Sequence, residues 1–296
     1  MKAMVIKRYG KDVPLQQVEV PIPTIGEKDI LVEIYAASIN PVDYKIRDGR
    51  VKMLLTYQMP LIVGNDFSGK VLKAGAKVTN FKIGDEVYGR PRKTRIGTFA
   101  EYLSVHEDDV SLKPKNLSFE EAASLPLVGL TTWQAFHEIL KLKPGQKILI
   151  HAGAGGVGTF AIQLAKQMGA YVATTASDEG YELVKSLGEK SFTVLKAQGK
   201  IVSVSGLPNR KFAIQNNLGL LKTILFSIVS RKMTALEKKH DASYHFLFMK
   251  PSGEQLSHIK KQVEEGKIRP IIDQIIPFED AQKAINYVET GKAKGK

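Results

Sequence analysis

The chain contains no cysteine in its 296 residues. That single absence removes disulfides, thiolate metal sites and cysteine nucleophiles together. Acidic residues are in short supply: 30 Asp and Glu face 43 Lys and Arg, leaving a net charge of +13. Such a balance raises the question of a polyanionic partner. The densest basic run is RPRKTR at residues 90–95. Elsewhere lysines stand beside acids, as in EKKHD and KKQVEEGK, which reads as solvated surface more than as a nucleic-acid footprint. A membrane-length apolar run is missing too. The segment LGLLKTILFSIVS, Leu218 to Ser230, is too short to span a bilayer and contains Lys222. It reads as core or as a subunit contact. The amino terminus MKAMVIKRYG has no long apolar region, so no signal peptide is expected and the cytoplasm is the default compartment. Internal repeats and low-complexity tracts are absent. Six histidines (His106, His137, His151, His240, His245, His258) show no paired metal-ligand spacing.

What is present centres on KILIHAGAGGVGTFAIQLAKQMGAYVATTAS, which opens at Lys147. Ile148, Leu149 and Ile150 form a short apolar run, as a buried parallel strand does. Gly153, Gly155 and Gly158 follow at GxGxxG spacing. Phe160, Ala161, Leu164, Ala165 and Met168 then recur at helical spacing up to Gly169, and Tyr171–Thr175 reads as a second strand. This strand–turn–helix–strand unit is the context a dinucleotide fingerprint requires. Glycines permit the tight turn, and free N–H groups at the helix start meet the pyrophosphate. The alternative is a plain tight turn. An acid at the end of the second strand selects NAD, whereas its absence suits the 2'-phosphate of NADP. Ala176 stands at that place, followed by the neutral Ser177. The reading is therefore NADPH. Asp178 and Glu179 keep NAD open, although both also suit the first turn of the next helix.

The first part of the chain is strand-rich. DILVEIYAASIN alternates over its first half, and GNDFSGKVLKAG, KIGDEVYG and GTFAEYLSV are short strand candidates bounded by glycines. From SFEEAASLPLVGLTTWQAFHEIL the period becomes helical, and Ser118 with Glu121 forms a capping-box pattern. A β domain thus precedes an αβ domain, with the border near residue 120.

With NPVDYKIRDG, GNDFSG, GDEVYG, GTFAEY, LPLVGLTTWQA and HAGAGGVG in this order, the chain resembles the medium-chain dehydrogenase/reductase superfamily. Within it, the sequence is similar to the zinc-independent quinone oxidoreductases, the zeta-crystallin-like branch. The resemblance implies a GroES-like β-rich catalytic domain (1–121 and 268–296) and a Rossmann doubly wound parallel-sheet domain (122–267), a cytoplasmic homodimer, and an α/β fold throughout. It implies that Asn40 and Tyr44 line the substrate cleft, Asn40 donating to the acceptor oxygen and Tyr44 stacking on the substrate or delivering a proton. It places Thr131, Gly155, Gly156, Val157, Ser177, Ser205, Gly206 and the backbone around Phe246 and Leu247 at the cofactor. Where the branch often has a tyrosine after the glycine matching Gly49, this chain has Arg50.

Zinc members of the superfamily carry a cysteine where this chain has Asn40 and a His-Glu pair where it has Asn65-Asp66. Their cysteine-rich lobe is replaced by RPRKTRI. No zinc is therefore expected. Alcohol oxidation is then hard to support, and reduction of an electron-poor quinone or enone by NADPH is the expected reaction. The rival expectation is a non-catalytic NADPH-binding or RNA-binding protein of the same fold.

One stretch departs from the pattern. In SDEGYELVKSLGEKSFTVLKAQGKIVSVSG two helices read in succession with no strand between them. The family carries a further roughly 35 to 40 residues here, with two strands, one beside the glycine-loop strand at the switch point. The sequence is expected to omit a segment between Gly188 and Glu189.

Overall fold

A computed structural model describes residues 1–186 and 199–296. The junction of Gly188 and Glu189, and the second helix read around it, lie outside the described residues.

The elements run β1 (Lys2–Ile6), β2 (Gln16–Glu19), β3 (Asp29–Ser38), α1 (Pro41–Arg47), β4 (Leu61–Ile62), β5 (Asp66–Ala74), β6 (Glu86–Gly89), β7 (Tyr102–His106) and β8 (Val110–Leu112). There follow α2 (Phe119–Ala123), α3 (Pro126–Trp133), β9 (Lys147–Ile150), α4 (Gly156–Gln167), β10 (Tyr171–Thr174), α5 (Asp178–Ser186), β11 (Lys200–Ser203) and α6 (Arg210–Gln215). The chain ends with α7 (Leu220–Val229), α8 (Arg231–Lys239), β12 (Ser243–Phe246), α9 (Gly253–Glu264) and α10 (Ala281–Glu289).

The strand-rich half forms a five-stranded antiparallel sheet in the order β7-β3-β5-β6-β8, beside a smaller sheet β2-β1-β4. Ile30, Val32, Phe67, Val71, Val87 and Val105 fill the core of the larger sheet. β3 departs from the expected alternation. Asp29, Ile30, Leu31 and Val32 are all buried: Ile30 and Val32 lie in the sheet core and Asp29 is held in paired bonds by Arg95. The capping box is formed: Ser118 N donates to Glu121 and Glu121 N donates to Ser118 Oγ.

The second half packs α3, α4 and α9 around Leu130, Ile162, Leu164, Leu256 and Ile259. Tyr88 of β6 enters this core and donates its hydroxyl to Leu256 O at 2.7 Å, joining the two halves. The chain then returns: Ala281 and Ile285 of α10 pack with Ile46 of α1 and Met4 of β1. β9 pairs in parallel with β10, and β11 in parallel with β12, as α/β crossovers demand. Among the described residues these remain two separate pairs. Leu149, expected to be buried, is 44% exposed.

The apolar segment from Leu218 to Ser230 also departs from expectation. Phe226 alone of α7 is fully buried, while Leu220, Leu221, Ile224, Leu225, Ile228 and Val229 are exposed. The core reading fails for that face because α7 rests on Phe212 through Phe226 and turns its aliphatic stripe outward.

Candidate active site

Two sharp starts build one side of the site. Asn40 precedes Pro41, which begins α1 with its fixed φ and no N–H to satisfy. Asn65 and Asp66 follow Gly64, whose φ of 105° brings the chain against Phe99; a Cβ there would lie 2.8 Å from Phe99 N. These turns set Asn40, Asp43, Asn65 and Asp66 in one fully buried cluster.

The cluster is two linked chains of hydrogen bonds. Asn40 N donates to Asp43 Oδ2 at 2.6 Å, and Asn65 Nδ2 donates to Asp43 Oδ1 at 2.7 Å. Asn65 Oδ1 in turn accepts from the Arg90 guanidinium at 2.9 Å. In the second chain Asn40 Nδ2 donates to Asp66 Oδ2 at 2.9 Å, where Ser38 Oγ also donates at 3.0 Å. Leu127 N donates to the other Asp66 oxygen at 3.0 Å. Lys296 Nζ donates to Asn40 Oδ1 and lies 3.7 Å from Asp66 Oδ2. Two carboxylates thus face two cations away from water. Burial pushes Asp43 up to about 7 and raises Asp66, and it lowers both Arg90 and Lys296.

Lys296 connects this cluster to the glycine turn. β9 ends at Ile150, Ala152 takes a left-handed φ of 55°, and Gly155 N donates to Ala152 O at 3.0 Å. Helix α4 starts at Gly156 with no acid in its first turn. A methyl group at Gly156 would lie 2.7 Å from Lys296 Cδ, so the lysine stem runs along the turn while its ammonium reaches Asn40. Gly295 and Gly155 form a backbone bridge that holds the lysine there. Gly158 lets helix and strand close up: its Cβ would lie 2.6 Å from Gly153 Cα. Free N–H groups, a glycine approach and a cation are what an anionic pyrophosphate needs. Gly156, Thr159, Phe160, Ile271 and Lys296 line a small crevice here.

The other expected residues scatter more widely. Tyr44 is half-buried on α1 and packs with the cluster of Ile46, Val63 and Phe99. Thr131 is buried in α3 and Val157 lies partly buried in the first turn of α4. Ser177 is exposed after β10, and Ser205 and Gly206 are exposed after β11. Gly206 N donates to Ser203 Oγ at 2.9 Å. Leu247 N donates to Ser203 O at 2.9 Å, and the Phe246 ring meets Phe212 edge-on at 4.9 Å. Among the described residues, no hydrogen bond links Ser177 or Ser205 to the Asn40 cluster. Asn40 and Gly156 are brought together, both by Lys296.

Sequence reasoning passed over Asp43, Asp66, Arg90 and Lys296 as site residues. Asp43 and Asp66 lie inside motifs quoted for the family resemblance, but no feature of those motifs marks either carboxylate as buried. Lys296 carries no local signal. The basic run RPRKTR is mostly spent internally. Arg92 forms paired bonds to Asp109 and Arg95 to Asp29, and Lys93 donates to Phe248 O at 3.0 Å. Burial lowers Lys93 to about 7.

Comparison with known proteins decides the family. The profile of the alcohol dehydrogenase GroES-like domain matches residues 26–115, and that of the zinc-binding dehydrogenase matches 171–296. The 2-methylene-furan-3-one reductase of Solanum lycopersicum is 36% identical, covering the whole chain and 78% of that protein. The chain belongs to the medium-chain dehydrogenase/reductase superfamily. A further member, the mitochondrial NAD(P)H oxidoreductase RTN4IP1 of Homo sapiens, is 32% identical over 350 positions, covering the whole chain and 88% of its own length. Those 350 positions exceed the 296 residues of this chain, so that relative carries residues without a counterpart here. The structure of the quinone oxidoreductase from Coxiella burnetii superposes with a TM-score of 0.80 at 32% identity, covering the whole chain and 97% of that protein. This superfamily member is an NAD(P)H-dependent oxidoreductase with a GroES-like unit and a Rossmann-like unit. Among the described residues, no group of three or more His, Cys, Asp or Glu side chains is placed to hold a metal ion. No described helix is long and apolar enough to cross a membrane.

Proposed function

We propose that the protein reduces quinones or other activated enones with NADPH and without zinc. The observation that carries this reading is Lys296. Its stem lies against Gly156 of the dinucleotide turn and its ammonium is bonded to Asn40, so one side chain spans the distance between cofactor and acceptor sides. When bound, the nicotinamide supplies a hydride. The chain does the rest. Gly155, Gly156, Val157 and the start of α4 bind the pyrophosphate, and Thr131, Ser205, Gly206 and the backbone at Phe246 and Leu247 orient the nicotinamide half. Ala176 and Ser177 leave room for the 2'-phosphate without a repelling carboxylate. Asn40 and Tyr44 line the acceptor side. Both ends of the Asn40 amide are engaged, so it positions Lys296 and Asp66 and presents its N–H to an acceptor oxygen by exchanging one of these bonds.

The donor set at Asn40 and Asn65 does not suit zinc. Both amides are held by neighbouring groups, and two buried cations already balance the two carboxylates. The units we assign are residues 1–121 with 268–296 for the acceptor and 122–267 for the dinucleotide. A cytoplasmic homodimer completes the proposal, with no nucleic-acid partner.

The test is steady-state oxidation of NADPH and NADH with a panel of small quinones and enones, before and after chelation. Equal or better use of NADH, or activity lost with a stoichiometric metal, contradicts the reading. Ala176→Asp is expected to weaken NADPH use by a like-charge contact. A second reading is nucleotide binding without turnover. It predicts saturable NADPH binding with no acceptor-dependent oxidation.

A further inference from the structure

Helix α7 is built with its apolar side facing out. Its exposed positions are Leu220, Leu221, Ile224, Leu225, Ile228 and Val229, all large aliphatics. Its less exposed positions are Lys222, Thr223, Phe226 and Ser227. The exposed set follows helical spacing and forms one continuous stripe. Leu221 is 84% exposed and Leu220 76%. Phe226, locked against Phe212, Leu218 and Phe248, fixes this orientation from below.

Basic residues accompany the stripe along the chain. From residue 210 to 240 the chain carries Arg210, Lys211, Lys222, Arg231, Lys232, Lys238 and Lys239. Glu237 is the sole acid there. It accepts from Tyr244 N at 2.7 Å and lies 3.8 Å from Lys211. About half of the net charge of +13 therefore sits on this one stretch.

We propose that α7 and α8 form a docking surface for an anionic lipid bilayer. Exposed aliphatic side chains flanked by Lys and Arg are what an interfacial helix inserts and presents to acidic headgroups. The charge argues against a second copy of the chain. A two-fold contact through this face would bring together two copies of a stretch that carries seven cations and one acid. Nucleic acid would use the cations and leave the aliphatic stripe in water. The surface adjoins the acceptor side: Leu54, in the loop between α1 and β4, packs into the same cluster as Phe212 and Phe226. If the proposed reduction holds, the acceptors reached this way are quinones or enones dissolved in the bilayer. That last step rests on the proposed function, whereas docking itself does not.

The experiment is co-sedimentation of the whole chain with vesicles of phosphatidylcholine alone or mixed with phosphatidylglycerol. Binding is expected to the anionic vesicles and to weaken with salt. Leu221→Glu combined with Ile228→Glu is expected to lower vesicle affinity by at least about tenfold, because apolar area sets binding strength. Lys238→Gln with Lys239→Gln should lower it by a few-fold on anionic vesicles only. Both variants lie at exposed positions, so their melting temperatures and their turnover of a small soluble quinone should match the unaltered protein. Three results overturn the proposal: no binding to anionic vesicles at low salt, undiminished binding by the Glu variant, or a dimer in analytical ultracentrifugation that the Glu variant dissociates. Vesicle binding without any quinone or enone turnover would sustain the docking surface and sink the proposed reaction.

Discussion

The two halves of the molecule use their positive charge in opposite ways. In the strand-rich half several arginines are bonded to acids. Arg95 grips Asp29, Arg92 grips Asp109, and Arg47 is buried between Asp48 and Glu289. In the helical stretch from α6 to α8, the cations stand at the surface beside exposed leucines and isoleucines. The same residue class therefore acts as scaffold in one half and as presented surface in the other. Total charge says nothing about this division. What separates the two is whether a carboxylate waits within hydrogen-bonding reach.

The largest break of the comparison should come from the buried cluster. Asp66→Leu removes the carboxylate that faces Lys296, Asn40, Ser38 and Leu127 N. Leaving a buried cation unpaired costs about 3–5 kcal/mol, so denaturant unfolding should show a loss of that order. Gly158→Ala ranks next. Its Cβ would crowd Gly153, and overpacking of this kind costs about 1–3 kcal/mol. NADPH affinity, read by nucleotide fluorescence, should fall along with the melting temperature.

Arg95→Ala is the sharper comparison. It strands Asp29, which is only 6% exposed, and should cost about 1–2 kcal/mol by loss of charged hydrogen bonds. Lys238→Gln in the other half should change stability by no more than about 0.5 kcal/mol. Equal effects of these two changes would erase the distinction between the halves.

The pH dependence divides likewise. Asp43 holds its proton up to about 7 when folded but releases it near 3.8 when unfolded. The folded state binds more protons over that window, so this group lowers stability as pH rises from about 4 to 7. Lys93 does the reverse. It loses its proton near 7 when folded and near 10.5 when unfolded, so stability rises across that interval. Lys93→Met should flatten the rise, measured as melting temperature at pH 7 and pH 10.

Much of the frame was legible in order along the chain. The strand, glycine turn and helix of 147–167 fall where the apolar spacing puts them, and Gly169 closes that helix with a φ of 75°. The candidate site was legible only in part. Asn40 and Gly156 stand out through their motifs, but nothing local links them. Lys296 does, across 256 residues, and such a contact exists only after folding. The burial of all four residues from Asp29 to Val32 was likewise hidden, because it depends on distant partners such as Arg95, which covers Asp29.

The sequence by itself determined that no thiol chemistry is available, that a GxGxxG turn joins a strand to a helix, and that the apolar run from Leu218 to Ser230 is too short to span a bilayer. Tertiary structure decided that this run forms a helix and which way its aliphatic face points. Helical periodicity sorts residues onto faces but does not say which face the core will cover. That choice fell to Phe226, whose ring found Phe212 and left the leucines and isoleucines outside.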